Sequence, residues 1–284
     1  MGLMTQTKSV MVAACQINSK FKKKNENLRK MIKMAEIAAG NGVKLIAFPE
    51  LALTGMGFDS SAEALSAAEN IPGTITEELV SNCTKLDLYV VTSLLEKEEN
   101  KCYNTSILVG PDGLVGKYRK AHLAHLGADQ CLHKGNETFE VFETKFAKIG
   151  LVICYELRFP EIHRVLSLRG AEIIVNVTSL PMNLGLECHQ DLLGPTRALE
   201  NKVYFVSANR VGRGEGFTFL GRSQIIDLNG KIIVEAGQEK EEIIHAQIEP
   251  RRARNKGVEL NPAQDLFVDR RPELYGPIVG EGFS

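Results

Sequence analysis

The chain opens with a strand, a helix and a second strand in immediate succession, and that order limits the fold more than any other feature. Residues 8–16 (Lys-Ser-Val-Met-Val-Ala-Ala-Cys-Gln) make an apolar run of strand length. Over residues 25–40, Leu28, Met31, Ile32, Ala35 and Ala38 or Ala39 recur on one helical face, and Gly40-Asn41-Gly42 ends the helix. Residues 43–48 give the next strand. Strands linked through a helix are expected to run parallel, which is the mark of a layered α/β fold.

The rest of the chain mixes that mode with tight hairpins. Helical pieces near 61–69 and 74–86 lead into a strand over 88–95. Strands over 103–109 and 114–118 flank the turn Gly110-Pro111-Asp112-Gly113, and strands over 217–227 and 231–236 flank Asp227-Leu228-Asn229-Gly230. Further strands are expected over 139–143, 147–153, 171–177, 203–208 and 241–248. A helix should run from about Pro160 to Arg169, and another over 187–202 that Pro195 should break or kink. A short basic helix, 251–256, precedes a tail rich in proline and charge. Both strand modes together predict an α/β sandwich of helices over two mixed sheets. No linker-like stretch or repeat divides residues 1–284, so one domain is expected.

Composition narrows the function. With 284 residues, 44% of them hydrophobic, the chain can bury a sizeable core. Its 34 basic and 35 acidic residues leave a net charge of -1, which gives no support for a nucleic-acid or membrane-surface partner. The basic run Lys22 to Lys24 reads as the solvated start of a helix. The N-terminus lacks the apolar core of a signal peptide, Gln6 breaks the myristoylation pattern, and no apolar run nears the roughly 20 residues of a membrane span. Six cysteines (15, 83, 102, 131, 154, 188) lie without paired spacing, so they read as reduced thiols of a cytoplasmic protein. His122 with His125, and Cys188 with His189, lack companion ligands, and no metal site is expected.

Three strand ends carry residues with matching chemistry. Glu50 follows Phe48-Pro49, where proline has no N–H for a ladder. Lys120 ends the run Gly116-Lys117-Tyr118-Arg119, and Cys154 ends Lys148 to Ile153 before a polar turn and helix. Glu50 as general base, Lys120 as positive charge beside an oxyanion, and Cys154 as nucleophile form a coherent set, with the Tyr155 N–H as a second oxyanion donor. Singly, each has an ordinary alternative: a surface acid, one charge in a basic run, and a small core thiol.

Taken in order, Phe-Pro-Glu (48–50), Tyr-Arg-Lys-Ala-His-Leu (118–123) and Gly-Leu-Val-Ile-Cys-Tyr-Glu-Leu-Arg-Phe-Pro-Glu (150–161) resemble the nitrilase-like carbon–nitrogen hydrolases. The resemblance continues through Arg169 to Ile174, Arg197 to Asn201, Asn209 to Gly212 and Gly221 to Ser223, covering roughly residues 8–275. It implies an αββα sandwich, a Glu50–Lys120–Cys154 triad, no cofactor, and homodimers in which the tail from about 261 to 284 crosses a partner subunit. One departure stands out. The family usually carries a second glutamate several residues before a glycine that here is similar to Gly135, whereas residues 121–134 hold only Asp129 as an acid. Either Asp129 substitutes with a shorter reach, or the site lacks that carboxylate.

The resemblance also bears on substrate. Nitrile-cleaving members typically place Trp after the nucleophile; this chain has no Trp, and Tyr155 stands there. The motif around Cys154 is similar to that of omega-amidases and small aliphatic amidases. Arg158 could hold a substrate carboxylate in a bidentate fork, or form an ion pair with Glu161 or Glu156. Residues 176–181, including Asn176 and Thr178, should shape the acyl or leaving-group pocket. The reading is a thiol amidase releasing ammonia from a small linear amide. An N-carbamoyl amidohydrolase, and a weakly catalytic family member that binds a small acid or a protein, remain alternatives.

Overall fold

The computed structural model describes residues 9–182, 187–258 and 261–280. Residues 1–8, where the leader reading and the start of the first expected strand fall, and residues 281–284 of the tail lie outside the described residues. Strand β1 (Val10–Gln16), helix α1 (Lys24–Gly40) and strand β2 (Val43–Ala47) follow the expected order, with β1 and β2 parallel. After α2 (Ser61–Ala67) and α3 (Thr74–Leu86), β3 (Tyr89–Glu98) joins β2 in parallel. Tight turns add β4 (Lys101–Gly110) and β5 (Gly113–Arg119) in antiparallel register.

The second half has β6 (Val141–Glu143), β7 (Lys148–Ile153), α4 (Pro160–Leu168), β8 (Ile173–Val177), α5 (Glu187–Asn201) and β9 (Tyr204–Ala208). Here β7, β8 and β9 are parallel. A ribbon of β10 (Arg213–Gly214) and β11 (Phe217–Thr218) stands apart, followed by β12 (Gln224–Ile226), β13 (Ile232–Glu235) and β14 (Glu242–Ile248). Two six-stranded mixed sheets result, ordered β14-β1-β2-β3-β4-β5 and β13-β12-β9-β8-β7-β6.

Strand alternation sends side chains to different layers. Leu45, Ala47, Ile149, Leu151, Ile153 and Val175 fill the space between the sheets. Leu28 and Met31 of α1, with Ile75 and Leu79 of α3, cover Ala13, Ile46 and Val90 on the first sheet's outer face. Ile162 and Leu166 of α4, with Ala198 of α5, cover Val152, Ile174 and Phe205 on the second. The order of layers is αββα, as the resemblance implies. Gly150 marks the close approach of α4, since a Cβ there would stand 3.0 Å from Leu166. Among the described residues no helix is long and apolar enough to cross a membrane.

Three expectations need correction. Helix α5 runs unbroken through Pro195. Proline forgoes one backbone hydrogen bond, but Leu193 and Ala198 pack into the outer core and Gly194 lies against Ile226, so tertiary packing holds the helix. The strand expected over 217–227 is split, because Gly221 (φ 64°) and Arg222 (φ 55°) turn the chain between β11 and β12. The basic helix near 251–256 is a single 3₁₀ turn, Pro250–Arg254. Beyond it, β15 (Gly257–Val258) and β16 (Asn261–Asp265) form a hairpin. The tail returns to its own chain, with the Phe267 ring 4.9 Å from both Arg164 and Lys256.

Candidate active site

Strand ends from both sheets meet at one rim. Proline at 49 ends pairing after β2, and the next residues turn, with Leu51 in the left-handed region (φ 48°) and its N–H bonded to Ser93 Oγ at 2.8 Å. Glu50 is thereby carried across to the second sheet. Its N–H meets the Thr178 carbonyl at 3.4 Å, and its carbonyl accepts from Ser179 Oγ at 2.9 Å. The Glu50 side chain is fully buried.

Lys120, also buried, leaves β5 with its N–H on the Asn104 carbonyl at 2.8 Å. Its Nζ lies 2.7 Å from Glu50 Oε1 and 2.7 Å from Asp129 Oδ2. Asp129 sits in a buried 3₁₀ turn, Gly127–Gln130, and also accepts from the Ala124 N–H at 2.8 Å. The shorter Asp129 side chain thus reaches the lysine. The loop then folds tightly back on β5, where Gly135 donates to the Lys120 carbonyl at 2.8 Å and a Cβ would fall 2.3 Å from the Arg119 carbonyl oxygen.

One ammonium thus faces two carboxylates. Glu50 Oε2 and Asp129 Oδ1 are buried without a hydrogen-bond partner among the described residues. Burial, helped by the charge on Asp129, pushes the Glu50 carboxyl above its ordinary range against the pull of Lys120. Burial works against the Lys120 charge, yet Glu50 and Asp129 together hold its pKa well above the usual lysine value. Glu50 is suited to accept a proton, and Lys120 stays cationic.

Cys154 ends β7 in the left-handed region (φ 47°) and begins a 3₁₀ turn, Cys154–Arg158. A non-glycine residue held there stores about 1–3 kcal/mol of backbone strain. The Cys154 N–H is bonded to Asn176 Oδ1 at 3.0 Å, and Asn176 in turn donates to Ser207 Oγ at 3.3 Å. Burial and the Glu50 charge push the thiol up to about 12, despite Lys120 and a hydrogen bond with Thr178. Both effects favour the protonated thiol, so a nucleophilic role for Cys154 calls for a base beside it. The N–H of Tyr155, in the first turn, has no partner within its own helix.

Lys120, Asp129, Cys154 and Thr178 line a cleft of about 700 Å³, its mouth included, with Glu50 buried behind them. Its apolar lining comes from Met56, Leu126, Leu180, Pro181, Leu193, Phe217 and Phe219. Tyr155 and Arg158 line the cleft as expected. Asn176 does not; it is fully buried behind Cys154 and acts on the cysteine backbone. The ion pair of Arg158 with Glu156 is ruled out, because Glu156 is buried and engaged by Tyr118, Ile153, Ala121 and His122. Arg158 instead reaches His189 Nε2 at 3.3 Å and lies 5.7 Å from the Tyr155 ring. Burial and the Arg158 charge lower the His189 pKa.

Sequence reasoning missed Asn104, whose amide donates to Glu50 Oε1 at 2.8 Å, along with Glu156 and His189. Asn104 lies mid-strand without a motif, and only the β3–β4–β5 pairing brings it to Glu50. Among the described residues, no group of three or more His, Cys, Asp or Glu is arranged to hold a metal ion.

The sequence model of the carbon–nitrogen hydrolase family matches residues 11–256, a span holding every residue of this site. The chain belongs to that family. This hydrolase is 36% identical to a nitrilase of Pyrococcus abyssi over 94% of its own length and 99% of the relative. It is 34% identical to the omega-amidase NIT2 of Xenopus tropicalis, over 80% of this chain and 84% of that one. Among solved structures, Saccharomyces cerevisiae Nit3, described as a member of branch 10 of the nitrilase superfamily, superposes with a TM-score of 0.78 at 28% identity, covering 87% of this chain and 92% of its own.

Proposed function

We propose that this hydrolase cleaves the C–N bond of a small linear amide through a thioester on Cys154. Glu50 takes the thiol proton as sulfur attacks the carbonyl carbon, and the oxyanion forms between Lys120 Nζ and the Tyr155 N–H. The intermediate collapses, the leaving nitrogen takes the proton from Glu50, and ammonia departs. Glu50 then accepts a proton from water, whose oxygen attacks the thioester; collapse releases the carboxylic acid and returns the proton to sulfur. Asp129 keeps Lys120 charged and aimed. The observation that carries the reading is the buried Lys120 ammonium, 2.7 Å from both Glu50 and Asp129, lining the same cleft as Cys154.

The mouth supports a narrower substrate class. Arg158, exposed, lines the otherwise largely apolar cleft, which supports an amide whose far end carries a carboxylate. One of the relatives is named an omega-amidase. The test is ammonia release from aliphatic amides, dicarboxylic monoamides, N-carbamoyl amino acids and nitriles, with Cys154→Ala as control. The reading predicts preference for monoamides and loss of release in the variant. Preference for N-carbamoyl compounds would replace it, and silence across the panel with folded protein would favour a binding role. We place a second copy of the chain against the tail, as family resemblance implies; Leu274 and Ile278 are exposed on it, and Leu168 and Leu192 on α4 and α5 add exposed apolar surface. Sedimentation of a chain ending near Asn261 as an unchanged dimer would remove the tail from that interface.

A further inference from the structure

The nucleophile and the lysine belong to different sheets, so something has to set their separation. Cys154 follows β7 of the second sheet, and Lys120 follows β5 at the edge of the first. Glu156, two residues beyond the cysteine, is fully buried and lies between the two strand ends. Its Oε2 accepts from the Ile153 N–H at 3.0 Å, next to Cys154. Its Oε1 accepts from the Tyr118 hydroxyl at 2.5 Å, the Ala121 N–H at 2.9 Å and the His122 N–H at 3.2 Å, on both sides of Lys120. Burial and the Glu156 charge push the Tyr118 phenol far up, so it remains a donor. The His122 ring closes the cluster, stacking on Phe159 with centroids 4.2 Å apart.

We propose that Glu156 is the positioning residue that sets the distance between Cys154 and Lys120 across the two sheets, a role that rests on the reading of these two as nucleophile and oxyanion partner. Every donor Glu156 engages through these bonds sits beside one of the two reacting side chains, and none of the bonds goes to substrate space. Only a group that accepts at both oxygens can join the two ends. Glutamine cannot, because its amide NH₂ must face either the Ile153 N–H or the N–H pair of Ala121 and His122, setting donor against donor. The strand ends then part, and misplacement of about 1 Å in such a pair costs about 10²-fold in rate.

The test compares Glu156→Gln, Tyr118→Phe and His122→Ala with the wild type for kcat, KM and thermal unfolding, on the preferred member of the amide panel. Glu156→Gln should lower kcat about 10²-fold with little change in KM, at temperatures where the variant is fully folded. Tyr118→Phe, which removes one donor and leaves the backbone contacts, should lose less. His122→Ala, which keeps its N–H, should lose least. A folded Glu156→Gln with wild-type kcat, or rate losses that merely follow the unfolded fraction, would overturn the role. Should Glu156→Gln not fold, Tyr118→Phe decides: kcat reduced at constant KM supports positioning, and unchanged kcat overturns it. Activity retained by Cys154→Ala is a separate failure, of the nucleophile reading itself.

Discussion

Arg119 and Lys120 are neighbours at the end of β5, and each enters a cluster of buried charge. The two clusters are built on opposite terms. Arg119 bonds to Glu96 through Nε and Nη2, both at 2.8 Å, and to Glu98 at 3.0 and 2.9 Å. Lys117 and the Thr105 hydroxyl complete Glu96, both of whose oxygens are bonded. Burial alone would raise the Glu96 pKa, but Arg119, Lys117 and Thr105 outweigh it and hold it below the ordinary range. On the Lys120 side, two carboxylates share one ammonium, each keeps a bare oxygen, and the Glu50 carboxyl is held above its ordinary range. A satisfied network locks strand ends together, whereas an under-satisfied one holds groups ready to exchange protons. On the proposed mechanism, adjacent residues on one strand serve stability on one side and chemistry on the other.

Substitution of one glutamate from each cluster is the sharpest way to break this contrast. Glu50→Gln should lower kcat by about 10²–10⁴-fold, the usual worth of a general base, and leave thermal stability equal or higher because a buried, incompletely bonded charge is gone. Glu96→Gln should do the reverse, losing about 3 kcal/mol of stability while keeping kcat per folded molecule. Calorimetry together with steady-state rates reads both, and a Glu50→Gln protein destabilised as much as Glu96→Gln would collapse the distinction.

The pH dependence separates the clusters further. The depressed Glu96 pKa contributes stability that is present above the unfolded carboxylate pKa and lost as pH falls through the lower folded value. The stability gap between wild type and Glu96→Gln should therefore narrow on acidification below about pH 4.3, the ordinary glutamate value. The Glu50 pKa is raised, so its reactive carboxylate form is lost on acidification while the protein is still folded. The acid limb of kcat/KM should accordingly lie above about 4.3. Because Asp129 is one cause of that elevation, Asp129→Asn should move the limb to lower pH, together with a rate loss of about ten-fold from poorer lysine aiming. An acid limb that does not move in Asp129→Asn would place the titration elsewhere. The smallest expected effect is at the mouth: Arg158→Ala should raise KM for monoamides with kcat nearly unchanged.

Much of this architecture was legible in the residues themselves. Local periodicity marked β1, α1 and β2, and Glu50, Lys120 and Cys154, each ordinary taken singly, stood out through three ordered motifs that resemble the nitrilase-like hydrolases. What stayed hidden depends on contacts between distant segments. The helix through Pro195 relies on packing against the second sheet. The turn at Gly221 and Arg222 relies on two left-handed residues, one of them non-glycine, that composition does not flag. Asn104 and Glu156 look like ordinary strand and turn residues until the sheets are stacked, and then each lies against a reacting group or its neighbour. Asp129 was visible as a candidate, but whether its shorter side chain could reach Lys120 was a question of loop geometry; the tight return at Gly135 brings it within 2.7 Å.

The measurement that bears most directly on the central claim is acid-quenched intact mass during turnover of the preferred amide, with ammonia followed in parallel for wild type and Cys154→Ala. The account predicts wild-type protein heavier by one acyl group, the adduct mapping to Cys154 among the six cysteines, and neither adduct nor ammonia from the folded variant. Undiminished ammonia release by Cys154→Ala, or an adduct mapping to another residue, would contradict it.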